Sequence, residues 1–174
     1  MDLTRWVDRI FNFDISPGLF PALVERISGT HARLEEMLTG LEKDALTRKD
    51  GSSWSIQEHT GHLIDIEEVH EKRLKQYFAN MNILVPADMS NKKTYLEEHN
   101  SKDISYILKK FREVRTQFIE RVSEADDYTI TRVATHPRLN KEMRLVDMIY
   151  FMAEHDDHHL AIIRSLINNQ KKHG

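Results

Sequence analysis

Residues 145–168 read LVDMIYFMAEHDDHHLAIIRSLIN, and within them Met148, Met152, His155, His159, Ile162 and Leu166 follow at steps of 4, 3, 4, 3 and 4. That is the repeat of one face of an α-helix, widened here by Leu145, Ile149 and Ile163. Two histidines continue an apolar stripe, so both are expected to point into a core. A buried polar group left without a partner costs about 1–3 kcal/mol, and an imidazole carries two such nitrogens. His155 and His159 stand one turn apart on the same side, the spacing at which two imidazoles reach one metal ion, which would satisfy both.

Three further segments carry helical periodicity. Pro21 to Leu41 places Leu23, Ile27, Leu34, Leu38 and Leu41 on one side, with Gly29 near its middle and Gly40 where a C-terminal stop belongs. Ser55-Ile56-Gln57-Glu58 is a capping box that starts a second helix, continued through Leu63, Ile66, Leu74 and Tyr77 to about Phe78. A third follows the cap candidates Asn100 and Ser101, with Ile104, Ile107, Leu108, Phe111, Val114, Phe118 and Val122 in phase. Four amphipathic helices predict an all-α four-helix bundle. The connections Glu42–Trp54, Ala79–His99 and Ala125–Arg144 are long for a simple up-and-down bundle, which leaves room for one or two crossovers and for covers over a site. Alternation over Tyr128–Ala134 reads as a short hairpin or an extended cover. Met1–Ile15, with Trp6, Phe11 and Phe13, reads as an N-terminal extension packed on the bundle as a short helix and strand. No repeat or linker divides residues 1–174, so a single domain is expected.

Composition narrows the chemistry. The 174 residues contain no cysteine, which excludes disulfides, thiolate metal sites and a thiol nucleophile, so any metal must use His, Asp or Glu. A net charge of −3, with bases interleaved among acids, speaks against nucleic acid as a partner. Apolar stretches such as Met148–Ala153 fall far short of the ~20 residues of a membrane span. Asp2, Arg5, Asp8 and Arg9 stand where the apolar region of a signal peptide would lie, so a cytoplasmic location is expected. Histidine is the excess, 10 of 174, about twice the usual share.

On the second helix His62 shares a side with Leu63, Ile66 and Val69 and is the third-ligand candidate. His59, His70 and His158 compete with it; they are otherwise read as hydrogen-bond partners of the ligands or as exposed groups. His31, His99, His136 and His173 read as loop or surface residues. Asp65, Asp156 and Asp157 are solvated helix-face acids or acceptors for ligating imidazoles, and with Glu154 they are the candidates for moving a proton. A di-iron carboxylate site needs two Glu-x-x-His motifs. Only Glu67-x-x-His70 fits; the fourth helix offers Asp156-x-x-His159, and Glu113 and Glu120 lie off the third helix's stripe.

The run Trp54-Ser55-Ile56-Gln57-Glu58-His59-Thr60-Gly61-His62-Leu63, followed by Asp147, Phe151, Glu154-His155 and His158-His159-Leu160, resembles the DinB-like superfamily of metal-binding four-helix bundles. Arg9–Phe13 and Pro21–Arg26 resemble the same family's opening, so the likeness covers nearly the whole chain. It implies that His62, His155 and His159 hold one divalent ion, zinc or nickel, with a coordination position left open. It further implies a metal-dependent hydrolase or a thiol S-transferase acting on a small molecule, with a low-molecular-weight thiol as candidate partner. The alternative is a non-catalytic metal-binding or homodimeric interaction module, marked by an exposed apolar bundle face.

Overall fold

The computed structural model describes residues 3–173, with side chains through residue 170. The first predicted helix is two helices, α1 (Phe20–Ser28) and α2 (Thr30–Leu38), meeting at Gly29. Gly40, at φ +76°, takes the left-handed conformation that a stop glycine supplies. The short α3 (Lys43–Thr47) interrupts the next connection, and α4 (Ile56–Phe78) begins with the expected capping box. The Ser55 hydroxyl accepts from the Glu58 amide at 3.1 Å, and the Glu58 carboxylate accepts from the Ser55 amide at 2.8 Å.

After the short α5 (Lys92–Leu96), Asn100 and Ser101 lie in a 3-10 turn rather than capping the third long helix. That helix, α6 (Ile104–Val122), is capped by Asp103, whose carboxylate accepts from the Ser105 amide at 2.7 Å. Asn100 serves α4 instead, accepting from the Ser55 hydroxyl at 2.7 Å.

The β-prone stretch splits. Its first half is helical, α7 (Asp127–Thr131), because Asp126 accepts from the Thr129 amide at 2.8 Å and Thr131 bonds back to the Asp127 carbonyl. Local side-chain capping outweighs the β-propensity there. Only the end enters a hairpin: β1 (Val133–His136) pairs antiparallel with β2 (Lys141–Arg144), His136 opposite Lys141. Residues 3–15 contain a 3-10 turn, Trp6–Asp8, and no strand. They pack through Trp6 and Phe11, whose rings lie 4.9 and 4.8 Å from Phe151 of the last helix, α8 (Leu145–His173).

The principal neighbours make a ring in which α1/α2 touches α6 and α8, and α4 touches the same two. The first and second long units therefore stand across a diagonal, as do α6 and α8. The two diagonal connections are the long segments after α2 and after α6, consistent with a bundle with two crossovers. Each long unit passes from one apolar cluster to the other through a polar residue. The order is Ile27, Thr30, Leu34 in the first; Leu63, Glu67, Leu74 in α4; Phe111, Arg115, Phe118 in α6; and Ala153, Asp156, Leu160 in α8. Along α8 the buried stripe ends on Ile163 and Ile167, with Ile162 and Leu166 only partly covered. The 3.6-residue turn drifts away from a strict 4-3 repeat over that length.

Candidate metal centre

Arg115 ties the polar layer together. Its guanidinium donates to Glu67 at 2.6 Å, to Asp156 at 2.6 Å and to the Ile27 carbonyl at 2.7 Å, and Thr30 donates to Asp156 at 2.7 Å. Burial opposes the charge on Arg115, but Asp156 and Glu67 outweigh it and raise its pKa. This corrects the reading of Asp156 as a solvated acid and shows why Glu67 is not free for a di-iron site. The sequence signal was an arginine in phase with the apolar stripe of α6, between Phe111 and Phe118.

Against this layer, where α4 and α8 face each other, His62, His155 and His159 each bring a nitrogen to within 4.8 Å of the other two. The Nε2 atoms of His155 and His159 are 3.2 Å apart. Two nitrogens on one tetrahedral zinc-type ion stand about 3.4 Å apart at bond lengths of about 2.0–2.1 Å, so this pair already has ligand spacing. His62 directs Nδ1 at the Thr94 hydroxyl, 3.0 Å away, which leaves Nε2 for the cluster. His159 meets His59 through Nδ1 of each ring at 2.9 Å, so its Nε2 is likewise the inward nitrogen. His155 Nδ1 is buried without a hydrogen-bond partner.

All three rings are neutral at pH 7. Burial pushes His62 down to about 4, against a partial pull upward from Asp65. Burial and then the neighbouring imidazoles push His155 and His159 well below their ordinary value. Three converging neutral imidazoles present lone pairs and no charge, the donor set that suits a borderline divalent ion.

Several of the surrounding histidines depart from their sequence readings. His59, His70 and His158 are buried; His59 is a hydrogen-bond partner, as one reading had it, and His70 and His158 line the cavity above the cluster. His99 and His136, expected at the surface, are 3% and 1% exposed. His99 bonds Asp65 at 2.8 Å and packs on Gly61, where an added Cβ would sit 2.2 Å from its ring. His136 lies in β1, with its Nδ1 accepting from the Leu139 amide at 3.3 Å. Periodicity cannot find either, because neither belongs to a long helix. His31 is half-buried, and the side chain of His173 lies outside those described.

Asp65 is buried too, not solvated; burial pushes its carboxyl up, and His99 with Thr94 brings it below its ordinary range. Glu154 pairs with Arg9 and Arg26, and Asp157 with Arg26 and Arg33 at 2.5 and 2.7 Å. None of the four acids considered for proton transfer lines the cavity.

That cavity has a volume of about 250 Å³. Trp54 and Trp6 flank the cluster, with ring centres 4.9 Å from His62 and His155 respectively. Residues from the three long connections expected to cover a site, Trp54, Met89 and Arg138 among them, complete its wall.

Among solved structures the chain is similar to YfiT from Bacillus subtilis, described as a probable metal-dependent hydrolase with an unusual four-helix bundle topology. Identity is 18%, the TM-score is 0.82, and 94% of each chain is covered. It is also similar, at 4% identity and a TM-score of 0.67, to a mycothiol-dependent maleylpyruvate isomerase, over 87% of this chain and 62% of that one. No curated protein matches the sequence. The likeness to these structures is one of fold. The sequence profile of the DinB superfamily matches residues 26–163, most of the bundle and all three clustered histidines, and the chain belongs to that superfamily.

Proposed function

We propose that the protein is a metal-dependent enzyme in which Nε2 of His62, His155 and His159 hold one divalent ion, zinc or nickel, at the floor of the cavity. The observation that carries this reading is the convergence of three buried neutral imidazoles on one point beside an open cavity. When bound, such an ion supplies Lewis acidity, which activates a water or thiol nucleophile at neutral pH.

The chain's own residues supply the rest. His59 and Thr94 fix the ring faces of His159 and His62. Trp6 and Trp54 exclude bulk water from the cluster's flanks. His70 and His158 face the same space and are the groups placed to hold or move a proton. The chain has no cysteine, so a thiol must come from outside. The reaction is hydrolysis or thiol S-transfer on a small molecule; the description of YfiT supports hydrolysis, and that of the mycothiol-dependent isomerase supports a thiol participant.

Loading with cobalt tests the reading. One ion per chain is expected, with a visible spectrum that changes on adding 2-mercaptoethanol and changes differently with acetate. Absence of metal binding overturns the reading. A spectrum indifferent to both ligands indicates a closed site and a non-catalytic metal-binding module.

A further inference from the structure

The cavity has a second pole. Arg73, His136 and Arg138 line it together with the histidine cluster. Arg73 is 3% exposed, and its Nε donates to the Val85 carbonyl at 3.0 Å. Among the described residues neither guanidinium meets a carboxylate. The one acid in the cavity wall, Asp88, is occupied by the Ser90 hydroxyl at 2.6 Å and by the amides of Ser90 and Lys92 at 2.9 and 3.1 Å. One terminal nitrogen of Arg138 is buried without a partner, and so is Nε2 of His136. Because His136 Nδ1 accepts the Leu139 amide, the ring's proton sits on that unpartnered Nε2. One wall thus carries two buried N–H donors without a partner, on Arg138 and His136, beside the Arg73 guanidinium, which has a carbonyl but no counter-charge. A buried cation retained without a counter-charge is expensive to a fold unless something else supplies the charge.

We propose that Arg73, Arg138 and His136 form a carboxylate-binding subsite, and that the small molecule acted on is a carboxylic acid whose reacting group lies at the opposite, three-histidine end. Two guanidinium forks and a neutral imidazole N–H match the planar, bidentate demand of a carboxylate. Arg73 remains a cation at neutral pH: burial, partly offset by Tyr77 and reinforced by Arg138, brings it only to about 10. His136 remains a neutral donor, since burial and then the two arginines push it down to about 3.

The wall between the poles is aromatic. Phe151 lies one turn before His155 on α8, and its ring centre is 5.4 Å from that of His136 and 5.9 Å from the Arg138 guanidinium carbon. One helical turn, about 5.4 Å, separates Phe151 from His155, so the two ends lie within reach of a short aliphatic acid. The assignment of the reacting end rests on the proposed metal site; the carboxylate subsite does not, and it is tested without metal.

Hexanoate, hexanamide and inorganic phosphate are titrated calorimetrically against chelator-treated protein, and against an Arg138→Gln variant treated in the same way. Arg138 is partly exposed, and no hydrogen bond of the fold depends on it, so this variant is expected to fold. Hexanoate should bind at least about tenfold more tightly than hexanamide, and Arg138→Gln should remove about tenfold from hexanoate alone. Equal binding of acid and amide, an unchanged affinity in Arg138→Gln, or binding of phosphate without hexanoate each overturns the proposal. Loss of metal binding in His155→Ala with hexanoate affinity retained is expected, and separates this subsite from the metal reading.

Discussion

His59 and His159 face each other through Nδ1 at 2.9 Å, so one proton is shared between two rings from different helices. With His159 Nε2 turned to the cluster, the proton belongs on His159 Nδ1 and His59 is its acceptor. His59→Ala should therefore weaken cobalt or zinc affinity by about 10–100-fold while leaving one site per chain, the usual effect of removing a ligand's hydrogen-bond partner. Alanine at His62, His155 or His159 should abolish tight binding. Competition with a chromophoric chelator measures both; complete loss in His59→Ala with retention in His62→Ala would place the ligands on the other face of α4.

Acid should destabilise the metal-free protein in a defined window. His59 and His62 are each pushed from 6.5 to about 4, by burial above all. As pH falls below 6.5 the unfolded chain takes up protons that the folded rings refuse until about 4. The unfolded state then binds more protons, and stability present above 6.5 is lost across that interval. Urea midpoints at pH 7.5, 6 and 5 should fall in that order, and a flat series would show the rings to be accessible to protons.

Gly61→Ala should destabilise the fold by about 1–3 kcal/mol although alanine favours helices, because the new methyl group would displace the His99 ring from its seat beside Asp65. A gain in melting temperature would mean that the His99–Ser101 turn is only loosely docked.

Arg115→Met leaves Glu67 and Asp156 buried without their cation and should cost about 3–5 kcal/mol. Replacing Glu67 and Asp156 by apolar residues in the same chain should recover most of that loss in urea unfolding. Failure to recover it would assign the layer a packing role beyond charge neutralisation.

What could be read from the sequence follows from periodicity. The Ser55 capping box and the inward phase of His155 and His159 are properties of residues three and four apart, so they are legible before any fold is known. His99, His136 and Arg138 reach the interior on a 3-10 turn and a hairpin whose positions depend on what they dock against. The same holds at Asp103, which caps α6 although Asn100 and Ser101 offer equally good chemistry, because those two lie in the turn docked on α4. Arg115 stands in phase with the apolar stripe of α6, but a lone arginine gives no sign of its partners until α1, α4 and α8 are brought around it.

The diagonal connectivity has a kinetic side. The ion pairs that hold Glu154 and Asp157, flanking the clustered histidines, reach back to Arg26 and Arg33 across 124–131 residues of chain. Contacts so distant in sequence form late and slow the search for the native state. The middle helices α4 and α6 are neighbours in both sequence and space, and they make the natural first pair. The first and last helices are then expected to close together over them, which makes assembly of the histidine cluster a late event.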